Sequence, residues 1–405
     1  MARNWPSWSE CLTNQIDICG DNGMKVILDT FLREINDKTT ENNQYPVLTS
    51  SKAGIFLQSD YFNKQVASRD NTGYKVIRRR QFTYRAMSDT GEFFPNMLDC
   101  ADIGIVSPAY PVFEIAKPGV IIPEFLKYYF KSDVFQHSIA SFAQGSTRTS
   151  IKFEKLKSVS INLPNIERQV QIIGVLDKVS KLIYNRTWEI QKLDELIKAR
   201  FVEMFGKQNP SWPIVTIGEI CRDTRTGPFG SALHHDEFVD DGIFVLGIDN
   251  AVENKFSYNR MRYITEEKYQ QLKRYTVHPG DVIITIMGTI GRSAVIPDDI
   301  PLAINTKHLA CLTPDYTRVN SEFLCSAFQM HPDVQRQLTG NAKGAIMDGL
   351  NLGIIKGLKF QLPPLQMQED FQLFYAQIDK SKSAIQKSLD ETQLLFDSLM
   401  QQYFG

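Results

Sequence analysis

At 405 residues, with 42% apolar and 22% charged side chains, the chain has the composition of a folded globular protein with enough length for two cores, which excludes a disordered or fibrous chain. Its 45 Lys and Arg against 46 Asp and Glu leave a formal net charge of -1, far from the basic balance of a stand-alone nucleic-acid binder. No stretch approaches the roughly 18 apolar residues needed to span a bilayer, and the N-terminus has no basic region followed by an apolar stretch, so a cytoplasmic chain without membrane contact is expected.

In chain order, residues 1–23 have no counterpart elsewhere and form an extension of unknown role; Met24 could be the true start. A first domain is expected over 24–163. Within it Asp102 to Val106 and Pro111 to Ile115 have the apolar character of buried strands around a Ser107-Pro108-Ala109-Tyr110 turn, and Glu124 to Phe142 has a helical pattern. A long helix follows over 164–206. Leu176, Ile183, Ile190, Ile197 and Met204 recur every seven residues, with Val179 and Leu193 beside them, as in a coiled-coil seam. Lys207 to Pro213, with two prolines and a tryptophan, marks the junction to a second domain over 207–362. There Asp281 to Ile286 and Ser293 to Ile296 are expected as strands and Glu322 to Leu338 as a helix. A second long helix closes the chain over 363–405, with Tyr375, Lys382, Leu389, Phe396 and Tyr403 on its seam and Ile378, Ile385 and Leu399 adjacent.

The two halves share one frame. Leu163-Pro164-Asn165-Ile166-Glu167-Arg168-Gln169 returns as Leu362-Pro363-Pro364-Leu365-Gln366-Met367-Gln368, about 199 residues later, far beyond the period of solenoid repeats. The frame holds to Phe205-Gly206 and Phe404-Gly405, and Glu124-Phe125-Leu126 answers Glu322-Phe323-Leu324. Further upstream, Asp102 aligns with Asp281 at a shorter offset and side-chain identity fades. The fold class expected is α/β: two divergent globular domains of mixed strands and helices, each followed by a similar long helix. Lys382 faces Ile183 in this alignment and Ile385 faces Arg186. Polar interruptions of this kind fix register and partner, so the helices could pair with each other; packing of each on its own domain would give a similar pattern. A helix from Asn165 to Phe205 would be a rigid spacer about 60 Å long.

Several stretches carry binding chemistry. Arg78-Arg79-Arg80-Gln81 with Tyr84 and Arg85 combines guanidinium, amide and aromatic groups, and arginine suits guanine O6/N7 as glutamine suits adenine N6/N7. A solvated basic strand edge is the competing reading. Gly145-Ser146-Thr147-Arg148 offers hydroxyls and a cation to a phosphate, or a helix cap. In the second half, Ser231, His234 and His235 follow Gly227-Pro228-Phe229-Gly230, and Arg260, Arg262 and Tyr263 repeat the arginine and aromatic mixture. Gly288-Thr289-Ile290-Gly291-Arg292 resembles a backbone-clamping Gly-x-x-Gly loop, though a hairpin turn accounts for it as well. Asn305 and Lys307 complete the candidates, with Thr306 between them.

Taken together and in order, these motifs resemble the specificity subunit of type I restriction-modification systems. The resemblance runs from about Met24 to Gly405 and rests on Arg80-Gln81-Phe82-Thr83-Tyr84-Arg85 with Gly104 to Tyr110, on Gly280 to Thr285 and Gly288 to Arg292, and on Leu-Pro-x-x-x-x-Gln at the head of each long helix. It implies two target-recognition domains, each reading half of a bipartite, asymmetric double-stranded DNA target. It further implies that the long helices pair as an antiparallel coiled coil, set the gap, and dock two methyltransferase (M) subunits, with restriction motor (R) subunits joining them. S-adenosylmethionine, ATP and Mg would belong to those partners, with no cofactor bound by this chain.

Catalysis by the chain itself has little in the sequence to support it. The six cysteines (11, 19, 100, 221, 311 and 325) form no Cys-x-x-Cys pair, and His234 and His235 are the only adjacent histidines, so no metal site is expected. Pro363-Pro364 lies between Leu362 and Leu365 and lacks the amide or acid with which a DNA adenine methylase grips its base; no phosphate-cradling Gly-x-x-x-x-Gly-Lys-Ser/Thr occurs. Near Asp298, a nuclease's second carboxylate is replaced by Asn305. The alternative to a DNA reader is a protein-interaction scaffold, an orphan or degenerate specificity subunit.

Overall fold

The computed structural model describes residues 23–61, 68–142, 149–229, 232–342 and 350–405. By their contacts they form two compact units: residues up to Asn185 together with Ser388–Gly405 (unit 1), and Arg186–Lys387 (unit 2).

Unit 1 is built on a four-stranded antiparallel sheet in the order Leu32–Ile35, Val112–Ile115, Phe82–Thr83, Asn96–Met97. Its inward aromatic side chains interlock. Phe82 stacks on Phe113 at 5.3 Å between ring centroids, and Phe130 meets both rings edge-on. Ile103–Val106 pairs with Lys75–Arg78, so the strands on either side of the Ser107–Tyr110 turn belong to different sheets. Met24–Ile27 pairs with Ser160–Leu163, the last strand before the long helix, which brings the domain's first and last described strands together.

Unit 2 repeats that closure: Ile214–Thr216 pairs with Lys359–Gln361 immediately before the second long helix. It holds a four-stranded antiparallel sheet (Cys221–Thr226, Leu309–Pro314, Val282–Thr285, Ser293–Val295) and a three-stranded one (Tyr263–Ile264, Ile243–Leu246, Ala303–Asn305). In the latter, Ile243–Leu246 and Ala303–Asn305 run parallel. A buried ion pair ties the larger sheet: Arg225 donates to Asp281 at 2.7 Å, and Asp281 also accepts from Thr313 Oγ1 and the His278 amide. Asp102, its sequence counterpart, is exposed and pairs with Arg79, so the shared position has opposite environments in the two units.

Each expected domain helix is broken at the same place. Unit 1 has Pro123–Tyr129 and Asp133–Ala140, the second capped by Ser132 Oγ accepting from the Phe135 amide; unit 2 has Ser321–Met330 and Pro332–Ala342. A serine that competes for backbone donors and a proline that lacks one interrupt the helix equally well.

The long helices are Ile166–Phe205 and Leu365–Phe404, 40 residues each. In unit 1, Ile172 and Leu176 share a core with Met400 and Phe404, and the Arg168 guanidinium lies 5.6 Å from the Tyr403 ring. In unit 2, Phe201 packs on Phe371 at 5.2 Å, and Asp194 pairs with Lys382. Within each unit, rising number on one helix meets falling number on the other, so the pairing is antiparallel. The seam positions Leu176, Ile183, Ile190, Ile197, Met204, Ile378, Ile385, Leu389, Phe396 and Tyr403 are all buried or half-buried. The polar interruption at Lys382 is answered by an aspartate on the facing helix, which satisfies a charge that would otherwise weaken the seam.

The glutamine of Leu-Pro-x-x-x-x-Gln fastens each long helix to its domain. Fully buried Gln169 accepts from the Ile122 amide (2.9 Å) and donates to the carbonyls of Val120 and Pro164. Fully buried Gln368 does the same with the Asn320 amide (2.9 Å) and the carbonyls of Arg318 and Pro363. In both units the bonded amide lies at the entry to the first domain helix. One amide side chain therefore satisfies three backbone groups that would otherwise be buried and unpaired.

Candidate nucleic-acid interface

In unit 1 the basic run sits at a strand end and the turn that follows, with Arg80 in the left-handed region at φ 68°. The three arginines are exposed, and each holds a different carboxylate: Arg78 to Asp37 (2.7 Å), Arg79 to Asp102 (2.7 Å) and Arg80 to Glu124 (3.0 Å). Gln81 turns inward, its Oε1 accepting from the Arg78 amide and its Nε2 donating to Glu114. Tyr84 is fully buried among Phe113 and its neighbours and donates to the Ile151 carbonyl. Gln81 and Tyr84 flank Phe82–Thr83, a strand buried on both faces, where an amide or phenol needs an internal partner. The geometry of this stretch is therefore that of a solvated, ion-paired edge.

Arg85 lies apart from that edge, on the rim of a cavity of about 760 Å³ bounded by Ser50, Ser51, Tyr74, Met87, Ser88 and Tyr110. Lys52 stands on the same rim. Both cations are tied to carboxylates, Arg85 to Asp89 (3.7 Å) and Lys52 to Glu92 (3.0 Å). Ser146, Thr147 and Arg148 lie outside the described residues; Thr149, which follows them, pairs with Ser88 on this rim.

Unit 2 gathers its candidates more closely. Gly227 abuts Asn305 and Thr306: a Cβ there would come within 2.2 Å of the Asn305 carbonyl oxygen, so only glycine lets the two segments touch. Thr306 donates its amide to Leu246 O, and His308 O accepts from the Ile286 amide, which joins the loops after three strands. A Cβ on Gly288 would contact Ile248 at 3.4 Å, adding the loop that runs to Arg292. That loop connects an antiparallel hairpin, with positive φ at Gly288 and Gly291 and with Thr285 Oγ1 accepting from the Arg292 amide. The loops after Leu246 and Asn305 leave the carboxyl ends of the parallel strand pair, the edge of an open sheet where ligands commonly bind.

Around these loops, Arg260, Arg292 and Lys307 are exposed and hold no ion pair among the described residues. Arg262 is different: its side chain is 25% exposed, Nη2 is paired with Asp249, and Nη1 occupies the space a Cβ on Gly247 would fill. His308 lies close enough to Lys307 and Arg262 that burial and both cations hold its imidazole below its ordinary pKa. Phe229 and Met287 expose apolar surface beside the cations. Tyr263 is half-buried against Phe244, with its hydroxyl donated to Met261 Sδ. Asn305 is fully buried and bonded to the Leu309 carbonyl, so it shapes the loop and presents nothing to solvent. His234 and His235 are exposed on a short turn closed by Glu237; Ser231 lies outside the described residues. Asp249, Lys52 and His308 did not stand out in the sequence. Gly247, two residues before Asp249, was the available signal.

A separate surface lies on the paired helices of unit 2, where Leu196, Ala199, Arg200, Glu203 and Phe374 line a shallow apolar depression. Leu196 and Leu373 are among the exposed apolar side chains of these helices. Among the described residues no group of three or more His, Cys, Asp or Glu is placed to hold a metal ion, and no helix is long and apolar enough to cross a membrane.

The family model for the type I restriction modification DNA specificity domain matches residues 30–196 and again 185–392. The chain is 24% identical over 197 residues to the EcoBI specificity subunit of Escherichia coli, covering 48% of this chain and 41% of that protein. It is 21% identical over 258 residues to the MjaVIII specificity subunit of Methanocaldococcus jannaschii, covering 60% of each. The chain thus spans less than two thirds of these curated relatives. Among solved structures, the type I restriction-modification S subunit from M. genitalium superposes with a TM-score of 0.56 at 16% identity, over 96% of this chain and 98% of that one. A chain from a type I restriction-modification assembly superposes with a TM-score of 0.55 at 15% identity, over 94% and 97%.

Proposed function

This chain belongs to the type I restriction modification DNA specificity domain family, and from that membership we propose that it is the sequence-reading subunit of a type I restriction-modification complex. Each unit reads one half of a bipartite double-stranded DNA target, and the halves differ because the units present different surfaces. The observation that carries this reading is the duplicated frame itself: Gln169 and Gln368 anchor matching helices, while the loops that face solvent share almost nothing. A frame kept constant beneath divergent loops suits two readers of unlike sequences.

The chain is non-catalytic in this reading. It docks two adenine-N6 methyltransferase subunits, and restriction motor subunits join that core; S-adenosylmethionine, ATP and Mg are bound by those partners. The depression around Leu196 and Phe374 supplies apolar area for docking. Phosphate contacts come from Arg260, Arg292 and Lys307 in unit 2; in unit 1, Lys52 and Arg85 exchange Glu92 and Asp89 for phosphates on binding. With so many cations of unit 1 already paired, much of the grip on the DNA backbone falls to the partners.

The test is to co-express the chain with a type I methyltransferase subunit that binds it, in a methylation-free host, and to map N6-methyladenine across the genome. A split, asymmetric motif with a fixed gap is the expected result. A stable complex that leaves no methylation would instead indicate a scaffold that does not read DNA.

A further inference from the structure

Among the described candidate arginines, Arg262 alone combines a carboxylate partner with a side chain only 25% exposed. Arg78, Arg79 and Arg80 are half or more exposed on their ion pairs. Arg225 is nearly enclosed, with Asp223, Asp281 and the Thr276 carbonyl around it. Arg260 and Arg292 are free in solvent. Arg262 instead has Nη2 held by Asp249 and Nη1 packed against Gly247, which leaves the second Nη2 hydrogen and Nε, without a protein acceptor among the described residues, as its fork of donors. Nη1 fits there because Gly247 leaves the space that any side chain would occupy.

The seat is itself rigid. Gly247 N donates to Asn250 Oδ1 at 2.8 Å, fully buried Asn250 donates to the Ser257 carbonyl, and the Arg262 carbonyl accepts from the Val245 amide at 2.8 Å. The guanidinium is thus pre-oriented near the loop that carries Lys307 and His308. A phosphate contact needs only charge, which the exposed cations offer. A planar fork fixed in advance by a carboxylate is what bidentate recognition of a base edge requires, because little side-chain entropy is lost on contact.

Resting on the reading above, we propose that Arg262 is the base-reading residue of unit 2, taking one guanine of its half-site through O6 and N7, with Asp249 as its positioning residue. Guanine is the base whose major-groove edge offers two acceptors side by side, matching the fork. Lys307 and Arg292 hold flanking phosphates and carry no base preference.

The experiment uses the full chain assembled with a type I methyltransferase subunit that binds it, incubated with a library of randomised duplexes, with the bound pool sequenced. The parent complex is expected to select a split motif containing a guanine that Arg262→Ala and Arg262→Lys both lose. The preference at that position should fall about tenfold or more, the scale of one bidentate contact, while the other half-site stays unchanged. Arg262→Lys keeps the charge and the stem, so it should retain low-salt affinity for duplex while losing the guanine; that separates base reading from a folding defect. Asp249→Asn should weaken the same guanine alone, and should add nothing in an Arg262→Ala background. A motif unchanged in Arg262→Lys overturns the inference and leaves the proposed function standing. A parent complex that binds duplex without selecting any motif overturns both.

Discussion

Phe404, at the end of the second long helix, lies against Phe125 of the first domain with ring centroids 5.3 Å apart. Phe205, at the end of the first long helix, lies in the same way against Phe323 of the second domain at 4.9 Å. Each domain core is therefore completed by the tail of a helix that starts from the other repeat. Phe404→Ala removes a buried aromatic from the core of unit 1 and should cost about 3–5 kcal/mol. Hydrogen exchange should then quicken in Pro123–Tyr129 and around Leu176, with Phe323 and its neighbours in unit 2 unaffected. Uniform quickening across both units would mean that the units do not unfold separately.

Gln169→Ala and Gln368→Ala should each destabilise their own unit by about 1–3 kcal/mol, the cost of leaving buried backbone groups unpaired. Gln169→Glu keeps an acceptor for the Ile122 amide but cannot donate to Val120 and Pro164, so it should also be destabilising at neutral pH. Domain-resolved thermal melts of the single and double variants provide the check. Equal effects on both units from either single change would contradict a local tether.

Freeing the ion-paired edge of unit 1 tests whether those arginines face DNA. In a variant carrying Asp37→Asn, Asp102→Asn and Glu124→Gln, Arg78, Arg79 and Arg80 lose their carboxylates. Duplex affinity at low salt should rise, and the slope of log affinity against log salt should steepen by roughly 0.9 for each new phosphate contact. Unaltered affinity and slope would place this edge away from the nucleic acid.

Unit 2 should lose stability in mild acid through His331. The ring is buried against Phe201 and Phe360, and burial is the main cause that holds its pKa below the ordinary 6.5. A base with a depressed folded-state pKa binds fewer protons folded than unfolded. Its contribution is therefore complete above about 6.5 and is lost as pH falls below that value. His331→Asn, which preserves an acceptor for the Asp333 amide, should flatten the decline of the melting temperature between pH 7 and 5. An equally steep decline in the variant would assign the acid sensitivity to other groups.

Partner docking is best tested at exposed positions. Ile197 is 5% exposed and belongs to the core of unit 2, so a charge there would unfold the unit before it tested any interface. Leu196→Asp with Leu373→Asp changes side chains that already face solvent. The variant should melt like the parent yet bind the methyltransferase at least tenfold more weakly in a titration. Binding at parental strength would move the docking face elsewhere.

The frame of this protein was legible because it is written twice and in a seven-residue period. Leu176, Ile190 and Phe396 announce a seam by spacing alone, and the glutamine of Leu-Pro-x-x-x-x-Gln recurs in register. The fates of Arg78 to Tyr84 were not legible. Asp37, Asp102 and Glu124 are distant in sequence, so nothing near the arginines reveals that they are already paired. Gln81 and Tyr84 carry recognition chemistry beside a strand whose two faces are both covered, and polarity alone cannot distinguish a reader from a satisfied core group. Arg262 appeared in the sequence as one basic residue among several. Its seat depends on Gly247 and Asp249, which the antiparallel pairing of Ile243 and Phe244 with Ile264 and Tyr263 brings beside it.

The exchange of helix tails also bears on how the chain matures during synthesis. Met400 and Phe404 belong to the core of unit 1, whereas unit 2 is bounded by Arg186 and Lys387. A ribosome therefore delivers every residue of unit 2 before it delivers the last pieces of the unit that began first. Nascent chains usually settle domain by domain from the N-terminus. Here the earlier domain must wait, its face around Phe125 and Leu176 uncovered, while the later one is made. That interval is the time in which a chaperone, or another helix of the same pattern, would find the open face.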